Sequence, residues 1–146
     1  MLPEFYRFRV VDNTDQTLTY NDGARVELHI TPWKMTSGAM AQGEIISDTA
    51  DFLTTAETIA AAAQVEGAVH DNTSLLHIGF TGIFYVKADV TSTDGTVDLY
   101  IEFSTDNSRW PSDLADFDVT TDCILLGKLT LSTDAVDEDR AIPVRF

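Results

Sequence analysis

Four aspartates close together, Asp113, Asp116, Asp118 and Asp122, are the first residues in this chain whose type and spacing could do chemistry. Ca²⁺ takes about six to eight oxygen ligands, commonly carboxylates bent inward by a loop. Phe117 interrupts this run, however, and neither an Asp-x-Asp-x-Asp-Gly register nor a closing Glu follows it. The cluster reads first as a solvated acidic loop and only second as a Ca²⁺ site, so no cofactor is expected. His29, His70 and His77 share no ligand spacing, and with one cysteine no paired zinc motif can be written. That cysteine, Cys123, stands in Asp-Cys-Ile-Leu-Leu-Gly, where acidic and apolar neighbours suit a small buried hydrophobe better than a thiolate. There is no Gly-x-Ser-x-Gly elbow and no glycine-rich phosphate loop. No catalytic signature is complete, and the chain reads as non-enzymatic. Tyr100 and Trp110 could stack on sugar rings; the simpler reading is that Trp33 and Trp110, each beside a proline, pin loops to the fold.

The elements that would position these residues are strands. Tyr6, Phe8 and Val10 alternate with Arg7 and Arg9, and Val26, Leu28 and Ile30 with Glu27 and His29. Phe84, Val86, Ala88 and Val90 make a third inward set. Val97, Leu99, Ile101 and Phe103 make a fourth, with Asp98, Tyr100 and Glu102 facing outward. Leu125, Leu129 and Leu131, then Ile142, Val144 and Phe146, mark two closing strands. Asn21-Asp22-Gly23 and Thr93-Asp94-Gly95 supply turn chemistry, the second predicting a hairpin between the strands on either side. Short strands without strand–helix alternation predict an all-β fold, an antiparallel sandwich of jelly-roll type, with residues 1–146 as one domain.

Residues 35–70 break the pattern, being rich in Ala, Thr, Ser and Gly. Two conformations are open to this insertion. Thr54-Thr-Ala-Glu57 is a capping box that could start a short helix through Val65, with Gly67 near its end; alternatively 54–66 is an extended arm. The formal charge is −15, from 9 Lys plus Arg against 24 Asp plus Glu, which argues against gripping nucleic-acid phosphates. No Lys or Arg stands between Lys34 and Lys87. A one-signed face there suits a basic or polar protein partner. Its candidate contact residues are Glu44, Asp48, Asp51, Phe52, Glu57, Ile59, Val65 and Glu66. No secretory leader and no run of roughly 18 apolar residues is expected to direct the chain to or through a membrane.

The run Val97-Asp-Leu-Tyr-Ile-Glu-Phe-Ser, an Asp-containing turn, Trp110-Pro, an acidic loop to Asp118 and the ending Arg140-Ala-Ile-Pro-Val-Arg-Phe146 resembles small virion proteins of tailed bacteriophages. The likeness is greatest to head-decoration, or cement, proteins and covers roughly the last 50 residues. It implies synthesis in a host cytoplasm and a place on the outer capsid surface. The implied partners are the major capsid protein and further copies of the chain, with a trimer as the first expectation. The motifs are structural and transfer no catalytic residue. They do not separate head from tail tube or neck ring, and a carbohydrate-binding sandwich is a further alternative.

Overall fold

A computed structural model describes residues 2–15, 17–19, 25–47, 58–59, 62–88, 95–131 and 138–146. The alternating runs become strands that pair antiparallel throughout these residues. Sheet A holds β11 (Ile124–Leu131), β10 (Gly95–Ser104), β1 (Phe5–Thr14) and, on the far side of β1, β7 (Gln64–Glu66) and β8 (His70–Asp71). Sheet B holds β12 (Glu138–Arg145), β9 (Gly79–Ala88) and β3 (Arg25–Thr36), with β4 (Ala39–Gln42) and β5 (Ile46–Ser47) sharing the outer side of β3. A separate pair joins β2 (Leu18–Thr19) to β6 (Thr58–Ile59).

The inner faces carry the residues that alternation assigns to them. Tyr6, Phe8 and Val10 of β1 and Leu99 and Ile101 of β10 meet Leu28, Ile30, Phe80 and Phe84 of sheet B in one core. Ile101 lies opposite Phe8, and Leu99 opposite Val10. Each such side chain contributes about 1.5–3 kcal/mol when fully removed from water. Ile142 packs against Gly127 where a methyl group would stand 2.4 Å from its Cδ1, so the sandwich closes tightly between β11 and β12.

Three expectations change. Thr93-Asp94-Gly95 does not join a hairpin, because β9 and β10 belong to different sheets; residues 89–94 themselves lie outside the described set. A helix over 59–65 is excluded: Thr58–Ile59 and Gln64–Glu66 are extended and paired, and Gly67 donates its N–H to Phe8 O instead of closing a helix. The insertion also supplies part of the fold, since Ile59 is buried in the core and Val65 packs against it. The sequence shows none of the helical turn Val119–Asp122, here α1, which Asp118 caps by accepting the Thr120 N–H at 2.8 Å.

Candidate interaction surfaces

The outer face of sheet A was expected to be wet, with Arg7, Arg9, Tyr100 and Glu102 pointing to solvent. Instead the chain from 105 to 123 folds back over it. Asp106 starts the return by accepting the Ser108 and Arg109 N–H groups at 3.0 and 3.1 Å, which also holds its carboxyl below the usual range. Asn107 takes the left-handed conformation the turn needs, at φ 56°. A 3₁₀ turn over Pro111–Asp113 follows, with Asp113 accepting the Trp110 N–H at 2.9 Å. Trp110, Phe117 and Cys123 then lie over the sheet.

Beneath this cover is an ion cluster. Glu102, opposite Arg7 in register, accepts from Arg7 Nε, from Arg9 Nη2 at 3.0 Å and from Ser112 Oγ at 3.3 Å. Glu66 reaches in from β7 to pair with Arg7 and Arg9, both at 2.7 Å. The Arg7 guanidinium also lies 4.4 Å from the Trp110 ring centre, and that of Arg9 5.1 Å from Phe117. Further along β10, Asp98 pairs with Lys128 at 2.9 Å. Burial pushes the Cys123 thiol up to about 11, the opposite of an activated nucleophile. The arrangement clamps a loop to a sheet.

This cover settles the fate of several predicted residues. Tyr100 and Trp110 are only 6% and 7% exposed, so neither offers a ring face to a sugar. Of the Ca²⁺ candidates, Asp113 and Asp118 are occupied with backbone N–H groups, and Asp122 accepts the Asp118 N–H at 2.8 Å. Two hydrogen bonds from Thr120 hold Asp118 below the usual carboxylate range. Asp116 is exposed, and no cluster of three potential ligands forms among the described residues.

The 35–70 segment divides just as sharply. Ile59, at 1% exposure, is a core residue and is withdrawn as a contact candidate; Val65 is partly buried beside it, and Glu66 is engaged with the two arginines. Asp48, Asp51, Phe52 and Glu57 lie outside the described residues. Glu44 is exposed, next to a feature the alternation did not reveal. Beyond Trp33, β3 runs past its pairing with β9 and makes a hairpin with β4 alone. Ser37 and Gly38, both at positive φ (51° and 81°), form its two-residue turn. Ser-Gly between Met35-Thr36 and Ala39-Met40 was the available signal. Met35 and Met40 face each other across the strands, 53% and 68% exposed, and Ile45 follows at 71%.

At the root of this hairpin a cavity of about 640 Å³ opens between β4, β5 and the 72–77 turn, lined in part by Pro32, Lys34, Glu44, Ile46, Leu75 and His77. The turn is fixed by Asn72, whose side chain accepts from His77 N–H at 2.8 Å and donates to the carbonyls of Pro3 and His77 at 3.2 and 2.9 Å. Lys34 Nζ donates to Leu75 O at 3.2 Å, tying the hairpin to it. No protein-family model, curated protein or solved structure matches this chain, so its function rests on the chemistry of these surfaces.

Proposed function

We propose that the chain is a non-enzymatic structural protein of a phage particle, a jelly-roll sandwich that binds the outer capsid surface and stabilises the shell. One observation carries this reading: the projecting β3–β4 hairpin and the loop after it expose Met35, Met40 and Ile45 inside the segment expected to make contact. Large flexible apolar groups on a projecting arm make a natural adhesive surface. Strand-to-strand addition is discouraged at three of the four edges of the two sheets, since the outer sides of β1 and β3 carry strands of two to four residues and β12 carries Pro143. Many copies on a shell multiply a modest contact into strong retention.

The test is sedimentation of the purified protein with empty capsids of the encoding phage. Met35→Ser with Met40→Ser is expected to fold normally and to lose most capsid retention. Wild-type protein that stays in solution, or a variant that sediments as wild type does, would sink the reading. Hollow rings of the pure protein in negative stain would move it to a tail tube or neck.

A further inference from the structure

We propose that the cavity at the hairpin root receives a basic side chain, lysine or arginine, from a protein partner, with Glu44 as its counter-ion. The inference rests on the structural-protein reading only for the identity of that partner, taken to be the capsid surface. At about 640 Å³ the cavity has volume for such a side chain, and Pro32, Ile46 and Leu75 give it apolar walls for the methylenes. Glu44 is exposed and makes no hydrogen bond or ion pair among the described residues, so its carboxylate is available.

The His77 side of the lining is compatible with a cation. His77 is 5% exposed, its Nδ1 buried without a hydrogen-bond partner among the described residues, and a methyl group on Gly43 would stand 2.7 Å from its Nε2. Burial, and then the Lys34 ammonium, hold the imidazole below its usual range, so it is neutral at pH 7 and does not repel the incoming charge. Lys34 keeps its charge while it donates to Leu75 O, which draws its ammonium to the 72–77 turn, and a chain of charge −15 favours a cation over an anion throughout. The apolar walls around such a charged pair exclude water from it and strengthen it.

N-acetyl-argininamide titrated into the ¹⁵N-labelled protein is the direct probe. Saturable shifts are expected at the Gly43, Glu44, Leu75 and His77 amides, weakened about fivefold or more in Glu44→Gln, as loss of an ion pair of about 1 kcal/mol requires. Uncharged N-acetyl-norleucinamide should bind more weakly still. Absence of shifts at these amides, or equal binding by Glu44→Gln or by the norleucine probe, would overturn the pocket assignment. In the capsid assay Glu44→Gln should reduce retention. Normal retention alongside weakened fragment binding would refute the capsid as the pocket's partner while the pocket itself stood.

Discussion

Glu102 shows how much one side chain can hold. It is buried at 0% side-chain exposure and neutralises Arg9, itself nearly as buried, while also anchoring Ser112 in the covering loop. Breaking a buried pair by removing one partner leaves an uncompensated charge, at a cost of about 3–5 kcal/mol. Glu102→Ala is therefore expected to lower unfolding stability by that amount in urea titrations. Glu66→Gln should cost less than about 1 kcal/mol, because Glu66 keeps 44% of its side chain in water. Similar losses from both would refute the clamp. Asp12 carries the opposite sign. It faces the core, its Oδ2 has no hydrogen-bond partner among the described residues, and burial raises its carboxyl above the usual value of 3.8. The fold thus prefers the protonated form. The cost of Asp12 is present above its raised folded value and disappears as pH falls below 3.8. Asp12→Asn is expected to be more stable than wild type at pH 7, with the gap closing toward pH 3.8 in melts across that range.

Among the elements, β1 has the heaviest role. It pairs with β10 along its whole length and with β7 and β8 on its other side, and both its faces are covered. Asn72 extends that hold to the chain before it, joining the Leu2–Pro3 backbone to the 72–77 turn. Truncating it strands several buried backbone groups at about 1–3 kcal/mol each. Asn72→Ala should lower stability by about 2–4 kcal/mol, and the amides of residues 2–6 and 72–77 should lose hydrogen-exchange protection together. Loss confined to one segment would show that the clip does not couple them. Trp33 belongs to the same end: a methyl group on Gly79 would lie 2.7 Å from its ring, so the glycine lets the indole lie close against the sheet.

At the scale of the molecule, residues 35–70 read in the sequence as an insertion that breaks the β pattern. The structure makes them part of the sandwich, since the segment contributes β4 to β8 in part or whole, a core isoleucine and an ion pair across the covered face. Deleting 38–66 is expected to abolish cooperative unfolding, read by circular dichroism, and not to leave a folded domain without its arm. A sharp thermal transition in the deletion variant would contradict this.

The sequence by itself determined the strands and their inner faces, because period-two alternation in β1, β3, β9 and β10 follows directly from the pleat. It also determined the acidic character that any partner must tolerate. Only the tertiary structure decided which strands share a sheet, and so put β9 and β10, which the Asp94-Gly95 signal predicts as a hairpin, in different sheets. Turn chemistry reports a local reversal; pairing depends on burial against distant residues. Covering the outer face of sheet A was equally illegible. Arg7, Arg9 and Glu102 read as solvent-facing until the loop after β10 brings Trp110, Ser112 and Phe117 over them. The hairpin cavity, too, exists only because Glu44, Lys34 and His77 meet across three elements that no spacing in the chain connects.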